Sequence, residues 1–369
     1  MEPTMTRTHR IAVAFLTVLA TPMVFAQHIV QTNLVSDLVI NTTQPQDPNL
    51  VNPWGLVHGP STPWWIADNG TGLTTLYNGQ GRSVSQLPSV VLPSPSGPAV
   101  GSTPTGAIFN GTTDFMLQGK PSVFMFATED GTIVVWSPSD GRQGQIAKPA
   151  AGGVYKGLAI GQQGGLNRLY VANFHGGVVE VYDTNFQPVS MPPGAFTDPN
   201  IPPGFAPFNV MNINGMLFVS FAMQQQPDLH DEQDGPGLGY VDAFDGSGAL
   251  QMRLQQGSWL NAPWGMAQAP ADFGPWRFRL LIGQFGSGQI ATFDARSGAF
   301  LGLLPGATGA PISINGLWGL SFGNGGAAGP SNTLFFAAGL HDEADGLFGT
   351  LTPSRNADEM AAPGANGQL

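Results

Sequence analysis

A short apolar segment with a small or amide residue at its centre recurs six times, and its spacing is the strongest constraint on the fold. The copies are Trp54-Gly55-Leu56, Thr105-Gly106-Ala107, Lys156-Gly157-Leu158, Phe208-Asn209-Val210, Trp264-Gly265-Met266 and Trp318-Gly319-Leu320. Their central residues lie 51, 51, 52, 56 and 54 positions apart. A period of roughly 40–50 residues is typical of β-propeller blades and exceeds that of short solenoid repeats.

Each copy is followed by the same succession of apolar segments and turns. A second apolar segment comes first, such as Leu169-Tyr170-Val171-Ala172, and most copies then have a glycine-rich turn such as His175-Gly176-Gly177. A third segment ends in an aromatic and a polar residue, as in Tyr182-Asp183. Asn and Asp favour turns there because their side chains bond to nearby backbone groups. The pattern predicts an all-β, six-bladed β-propeller of four-stranded antiparallel blades.

The last copy has no sequence for an outer strand of its own. Its three apolar segments are Leu317–Phe322, Leu334–Ala338 and Leu347–Leu351, after which the chain becomes small and polar. Residues 29–36 precede the first copy and have strand character. We expect this N-terminal segment to pair with the last blade, because closing the ring removes a free sheet edge.

The N-terminus has the features of a secretory signal peptide. Arg7 and Arg10 precede an apolar stretch over residues 11–19, and Val24-Phe25-Ala26 fits a small-x-small cleavage site. The sequence therefore predicts an exported, periplasmic or extracellular protein. The expected organisation is a signal peptide over residues 1–26, one propeller domain over residues 27–353 and a disordered tail over residues 354–369.

The charge and cysteine content narrow the classes of partner and site. Lys and Arg number 13 against 24 Asp and Glu, for a formal net charge of −11, which disfavours nucleic acid or an anionic membrane surface as partner. The chain has no Cys, so disulfides and thiolate sites are excluded. We expect a monomer without a membrane span after signal removal, whose partner is a glycan, peptide, protein or small molecule.

Longer motifs resemble those of a family of exported bacterial proteins of uncharacterised function. They are Asn49-Leu50-Val51-Asn52-Pro53-Trp54-Gly55-Leu56, Ala67-Asp68-Asn69-Gly70-Thr71-Gly72, Phe126-Ala127-Thr128-Glu129-Asp130-Gly131-Thr132-Ile133, Tyr155-Lys156-Gly157-Leu158-Ala159-Ile160-Gly161 and Asn261-Ala262-Pro263-Trp264-Gly265. The resemblance covers nearly all of residues 29–353 and implies a six-bladed propeller and export. More loosely, the chain is similar to propellers of the NHL and gluconolactonase-like kind.

Polar residues are expected to gather where one face of the propeller meets the central channel, because inner strands begin there and ligand sites usually lie there. The ligand candidates are Asn52, Asp68, Asn69, Glu129, Lys156, Asn173, His175 and Asn209. A mixed ring of Asn and carboxylate side chains resembles the metal site of lactonase-like propellers, although Asn52 stands where those propellers usually have Glu. The alternative is that Asn and Asp cap strand ends.

The string His-Asp-Glu-x-Asp-Gly occurs twice, in the turns of blades four and six. The copies span residues 230–235 and 341–346. Closely spaced carboxylates suit Ca²⁺, and His with carboxylates suits Zn²⁺ or Mn²⁺; solvated Asp-Gly turns are the alternative. Because blades four and six are not neighbours, we expect two separate sites. The candidate metal ligands are Asp231, Glu232 and Asp234 in one copy, and Asp342, Glu343 and Asp345 in the other.

Two classes of function remain open on the sequence alone. Trp54, Trp264 and Trp318 either stack on a ligand or pack between blades, where large aromatic side chains bury most area, and we expect the second. No nucleophile motif is present, which favours a binding scaffold that uses its loop-rich face. The alternative is a metal-dependent, lactonase-like hydrolase with a site at the channel mouth, and calcium is the divalent cofactor that the acidic loops would suit.

Overall fold

The computed structural model describes residue 1, residues 27–39 and residues 45–354. The predictions of a signal peptide over residues 1–26 and of a tail over residues 354–369 lie outside the described residues, apart from residues 1 and 354. Within the described ranges, no helix is long and apolar enough to cross a membrane.

Six antiparallel sheets follow one another along the chain, and each begins with its innermost strand. After β1 (Ile29–Ser36), blade one contains β2 (Pro53–Val57), β3 (Trp64–Asp68), β4 (Leu73–Tyr77) and β5 (Ser89–Val91), and a hairpin of β6 (Pro93–Ser94) and β7 (Gly97–Gly101) follows. Blade two contains β8 (Pro104–Phe109), the hairpin of β9 (Met116–Leu117) and β10 (Lys120–Pro121), then β11 (Phe124–Thr128), β12 (Ile133–Trp136) and β13 (Gln145–Lys148). Blade three contains β14 (Tyr155–Gln163), β15 (Leu166–Asn173) and β16 (Val178–Tyr182).

The other three blades follow the same plan. Blade four contains β17 (Phe205–Ile213), β18 (Met216–Gln224), β19 (Glu232–Gln233), β20 (Gly239–Phe244) and β21 (Leu250–Arg253). Blade five contains β22 (Pro263–Gln268), β23 (Leu280–Gln284), β24 (Ile290–Phe293) and β25 (Phe300–Leu303), and blade six contains β26 (Leu317–Phe322), β27 (Leu334–Gly339) and β28 (Asp345–Pro353). Two 3₁₀ turns, Pro138–Asp140 and Gly274–Trp276, and one helical turn, α1 (Leu340–Glu343), lie between strands.

The N-terminal strand closes the ring, which confirms the sequence prediction. β1 pairs antiparallel with β28, from Ile29 opposite Pro353 to Ser36 opposite Leu347. Blade six therefore has the sheet order β1-β28-β27-β26 and contains both ends of the described domain. The free edge that β28 would otherwise present is covered.

Blade three departs from the four-strand prediction. Its ladder has three strands, and an isolated bridge between Tyr182 and Pro188 stands in place of the fourth. The segment that follows β16 contains Pro188, Pro192 and Pro193. Proline has no backbone N–H to donate, so the pairing of this segment with β16 stays short, although the Val189 N–H donates to the Val181 carbonyl oxygen at 2.8 Å.

Five of the six inner strands have glycine at their centres, where the strands of neighbouring blades approach closely. A Cβ on Gly55 would lie 2.7 Å from the carbonyl oxygen of Thr105 in blade two, and one on Gly319 would lie 2.5 Å from that of Trp54 in blade one. The recurrent central glycine is thus required by backbone contact around the axis. The result is a narrow channel.

The apolar core divides into clusters that follow the blade interfaces. Six clusters of buried side chains each join two adjacent blades, including the closing pair of blades six and one. A seventh cluster fills the channel, where Trp54 stacks on Trp318 at 3.5 Å between ring centroids and Trp264 lies edge-on to both. The expectation that these tryptophans pack between blades is wrong, because their positions on the inner strands face the axis.

Candidate functional site

Lys156 is the only charged residue among the six equivalent inner-strand positions that precede the repeat centres. The other five positions hold Trp54, Thr105, Phe208, Trp264 and Trp318. Lys156 is 1% exposed, and its Nζ lies 5.0 Å from the centroid of the Trp54 ring. A lone ammonium group therefore lies against the aromatic cluster of the channel, and buried charges of this kind require partners.

Carboxylates from two other blades supply those partners. The Lys156 ammonium donates to Glu129 Oε1 at 2.5 Å and to Asp231 Oδ1 at 3.4 Å. The second oxygen of Glu129 accepts from Asn69 Nδ2 at 2.8 Å. Burial alone would lower the pKa of Lys156, but the carboxylates of Glu129, Glu232 and Asp231 outweigh it and raise that pKa above its usual value. Lys156 is thus a permanent cation.

Blade six contributes a further carboxylate through a strained turn. His341, Asp342 and Glu343 have φ angles of 52°, 54° and 67°, in the left-handed region. Glu343 Oε2 accepts from Asn52 Nδ2 at 2.8 Å, and Asn52 Oδ1 accepts from Trp318 Nε1 at 3.1 Å. Backbone strain of this kind persists only where the surroundings fix it. Here the hydrogen bond to Asn52 holds the glutamate toward the channel.

The glutamates of the two acidic loops lie in one electrostatic cluster. Burial raises the pKa of Glu232 to about 7; Lys156 opposes this shift, whereas Glu343 and Asp231 add to it. Burial likewise raises the pKa of Glu343, with Lys156 opposing and Glu129 adding to the shift. The two glutamates thus act on the same charged groups, and the expectation of two separate metal sites stays a prediction. The narrow axis brings blades four and six together, as Phe208 and Trp318 show at 5.9 Å between centroids.

We call this cluster the channel mouth. Blade one supplies its two amide side chains, and blades two, three, four and six supply the charged groups and the imidazole. Its members are Asn52, Asn69, Glu129, Lys156, His230, Asp231, Glu232 and Glu343.

Three residues of the channel mouth could share a metal ion. Glu129, His230 and Asp231 each offer one ligand atom, and these atoms all lie within 4.8 Å of one another. His230 Nδ1 lies 2.7 Å from Asp231 Oδ1. One imidazole and two carboxylates suit Zn²⁺ or Mn²⁺. Lys156 contacts the same two carboxylates, so a metal there would compete with its ammonium group.

The remaining ligand candidates lie apart from the channel mouth. Asp68 is fully buried in blade one. The Asn173 side chain donates to Glu180 and accepts from the Gly176 N–H, and that of Asn209 donates to the Trp264 carbonyl oxygen at 2.8 Å. The ring of exposed His175 lies 3.1 Å from the Asp228 carbonyl oxygen. Asn173 ends β15, so its contacts match the alternative of strand-end capping, whereas Asn209 lies in the middle of β17.

The outer acidic residues of the two loops also point away from the channel mouth. Asp234 and Asp342 are exposed. Asp345 is partly buried, and its Oδ2 lies 2.7 Å from His341 Nδ1. Of the six residues predicted as metal ligands, Asp231, Glu232 and Glu343 reach the channel mouth.

Sequence reasoning missed two features of the channel. His230 was noted only as part of the repeated string, although its ring contacts Asp231. The indole N–H of Trp54 is buried without a hydrogen-bond partner, whereas those of Trp264 and Trp318 donate to the Lys156 carbonyl and to Asn52. The signal that could have located the cluster is Lys156 at a position that is aromatic in four other blades.

A cavity of about 330 Å³ lies between the inner strands, toward the ends opposite the channel mouth. Its lining combines apolar side chains such as Phe109, Leu158 and Met211 with polar ones such as His58 and Asn212. The aromatic cluster lies between this cavity and the channel mouth. The axis of the propeller therefore has an end rich in charged side chains and an end of mixed polarity.

Comparisons with known proteins agree with the fold. No protein-family model matches the chain. Uncharacterized protein L690 of Acanthamoeba polyphaga mimivirus is 29% identical over 326 residues, which are 83% of this chain and 81% of that protein. A protein of unknown function from Bacteroides thetaiotaomicron superposes with a TM-score of 0.54 at 10% identity, over 89% of this chain and 76% of its own. A streptogramin B lyase superposes with a TM-score of 0.51 at 12% identity, over 89% of this chain and 98% of its own. At such identities the structural likeness shows the fold alone: the chain is a six-bladed β-propeller protein.

Proposed function

We propose that this chain is an exported binding protein whose channel mouth captures a small cationic ligand. The observation that carries the proposal is the imbalance of charge there. Four carboxylates from three blades surround one ammonium group: Glu129, Asp231, Glu232 and Glu343. Lys156 is the only lysine or arginine that pairs with them among the described residues. A concave site with surplus negative charge and partly desolvated walls attracts cations.

The raised pKa of Glu232 and of Glu343 supports this interpretation. Burial and, to a smaller extent, nearby carboxylates disfavour the ionised form of both side chains. A bound cation would favour the ionised forms. A bound cation would therefore compensate the carboxylates of the channel mouth that Lys156 alone does not neutralise.

The binding test uses the chain from Gln27 onward and titration calorimetry with two cationic probes, cadaverine and MnCl₂. Glutarate serves as an anionic control of similar size. We expect at least one cationic probe to bind and glutarate not to bind. The double variant Glu232→Gln, Glu343→Gln keeps the shape of both side chains but removes two charges, and it should weaken cation binding by more than tenfold.

A matched control removes one charge elsewhere. Asp272 is exposed, and Asp272→Asn should leave the affinity within about twofold, because exposed charges are screened by solvent and salt. Binding of neither cation, or equal loss in the control, contradicts the proposal.

A second candidate function is a metal-dependent hydrolase of the lactonase-like kind, favoured by the cluster of Glu129, His230 and Asp231. A metal held by these residues would supply Lewis-acid chemistry at the channel mouth. Plasma mass spectrometry of the purified chain, with and without added Zn²⁺, Mn²⁺ and Ca²⁺, tests this candidate. One retained ion per chain that is lost in His230→Gln would favour it over a site for organic cations.

Export is the third part of the proposal and rests on the signal-peptide features of residues 1–26. It agrees with the resemblance to exported bacterial propellers of uncharacterised function. N-terminal sequencing of the protein from the periplasm or the culture medium tests it. A first residue of Gln27 is expected, and a retained Met1 contradicts it.

A further inference from the structure

The carboxyl group of Asp68 has a different environment from those of the channel mouth. Asp68 is 0% exposed, and neither of its oxygen atoms has a hydrogen-bond partner. An isolated buried carboxylate is strongly unfavourable, and native structures satisfy such groups with protein, water or ions. The Asp68 carboxyl group therefore needs a partner that the protein side chains do not provide.

The side chain lies at the interface between the first and last blades, which we call the seam. Trp64 and Ile66 belong to the apolar cluster that also contains Phe335 and Phe348 of blade six. Side chains alternate along a strand, so Asp68 shares their face of β3. Tyr77 of the paired strand β4 lies in the same cluster. The carboxyl group thus faces the closing interface of the ring.

Polar side chains with oxygen atoms lie near Asp68 among the apolar side chains of the seam. Thr75 is 0% exposed, and its hydroxyl is also without a hydrogen-bond partner. The Tyr77 hydroxyl donates to Asp47 Oδ2 at 2.8 Å. Burial raises the pKa of Asp68 well above its usual range and Asp47 adds to this, whereas the polar groups of nearby Thr75, backbone included, oppose it. Two carboxylates and two hydroxyls thus lie close together.

Neither carboxylate pairs with a lysine or arginine in the part of the chain that the structure describes. From the two buried, unpartnered side chains and the Asp47 carboxylate near them, we propose that the seam binds a hard divalent cation, with Asp68 as its principal ligand and Thr75 and Asp47 beside it. Hard cations such as Ca²⁺ prefer carboxylate and hydroxyl oxygens. This site is separate from the channel mouth, because its side chains face blade six instead of the axis.

Such a cation would stabilise the interface between blades one and six, where the ring closes. The segment after β1 contributes Asp47, whose backbone N–H donates to the Ser36 carbonyl oxygen at 2.9 Å. Binding a ligand only in the folded state stabilises that state by mass action. Removing the cation should therefore loosen the closure of blades one and six before the other interfaces.

The test compares thermal melts of the chain from Gln27 onward in CaCl₂, MgCl₂, NaCl and EDTA, with plasma mass spectrometry of the ions retained after dialysis. We expect calcium to raise the melting temperature of the wild type relative to EDTA and to be retained at the seam. Asp68→Asn should lose this rise and one retained ion. Thr75→Val keeps the shape of the side chain and should weaken calcium binding while the chain stays folded, which keeps the test valid if Asp68→Asn does not fold.

The channel-mouth variant Glu343→Gln separates this proposal from the proposed function. It should keep the calcium-dependent rise, whereas the seam variants should keep cadaverine binding. Identical wild-type melts in calcium and EDTA, or a full calcium-dependent rise in both seam variants, overturn the seam site. A higher melting temperature for Asp68→Asn than for the wild type at pH 8 in calcium also overturns it, since Asp68 is then a buried protonated acid.

Discussion

The two copies of His-Asp-Glu-x-Asp-Gly have the same sequence and different structures. In blade four, Glu232 and Gln233 form the short strand β19, which pairs with the end of β18. In blade six, residues 341–343 form a left-handed turn. The first copy belongs to a long connection between β18 and β20, whereas the second must join β27 to β28 within a few residues. Loop length, rather than the string itself, determines the backbone.

What the copies share is the direction of their third residue. Glu232 and Glu343 both reach the channel mouth, although their backbones differ. The histidines differ as well, since His230 contacts the next residue and His341 contacts Asp345 four residues on. The comparison suggests that the glutamates carry the shared role and that the rest of each copy is local support.

The largest expected change in stability comes from replacing Lys156, whose ammonium group contacts Asp231 of the blade-four copy. Lys156→Met leaves Glu129 buried without its ion-pair partner and should destabilise the fold by about 3–5 kcal/mol. The double variant Lys156→Met, Glu129→Gln should recover part of this loss, because the carboxylate that Lys156 contacts at the shortest distance is then neutral. Urea denaturation of the three chains measures both effects. An equal loss in the single and double variants would contradict the electrostatic explanation.

The second prediction uses one substitution in both copies. Asp342→Gly should stabilise the fold by about 1–2 kcal/mol, because glycine removes the strain of a left-handed φ. Asp231→Gly should destabilise it, because the contact with Lys156 is lost and glycine adds entropy to the unfolded chain. Denaturation midpoints in urea provide the measurement. Shifts of the same sign in both variants would show that the two backbones differ less than described.

The third prediction concerns pH and separates the two glutamates. The pKa of Glu232 is raised from 4.5 to about 7, so its contribution to stability is complete below pH 4.5 and is lost as the pH rises through about 7. Cation affinity should rise over the same window by up to about tenfold per pH unit, since ionisation of Glu232 favours the cation. Titration calorimetry with MnCl₂ between pH 5.5 and 8.5 measures this.

Single variants identify the side chain whose ionisation causes the pH dependence of cation affinity. Glu232→Gln should flatten the dependence near pH 7, whereas Glu343→Gln should keep it and move it to lower pH, because the Glu343 carboxylate adds to the raised pKa of Glu232. His230, Asp231 and Lys156 face the same site, so His230→Gln is the control for imidazole titration. A wild-type profile that flattens in His230→Gln and persists in Glu232→Gln would assign the dependence to the imidazole.

The smallest effects are expected at the fifth residue of each copy. Asp234 is exposed, and Asp234→Asn should change stability by less than about 0.5 kcal/mol. Asp345 contacts His341 and is partly buried, so Asp345→Asn should destabilise by more than Asp234→Asn. Thermal melts at pH 6 measure the difference. A larger effect at Asp234 would reverse the assignment of the two loops.

The fold could be predicted from the sequence because the repeats are nearly evenly spaced. The spacing of the repeat centres predicts six blades. The missing last strand predicts the pairing of residues 29–36 with β28, which the structure confirms. The sequence analysis predicted four strands for blade three as for the other blades. Pro188 and the prolines after it lack the backbone N–H groups that a full fourth strand needs.

The site was only partly accessible. Asn52, Asn69, Glu129 and Lys156 were predicted from the ends of strands that meet on one face, and the structure brings them together. The convergence of Glu232 and Glu343 depends on the width of the channel, which depends on backbone contacts through Gly55 and Gly319. Such distances cannot be read from spacing along the chain.

The stacked indole rings of Trp54 and Trp318 limit how a molecule could move along the channel. They lie on the axis between the channel mouth and the cavity. A ligand bound at the channel mouth, as we propose, would therefore have to leave by the route through which it entered. Its entry and its release would then depend on the same two loops.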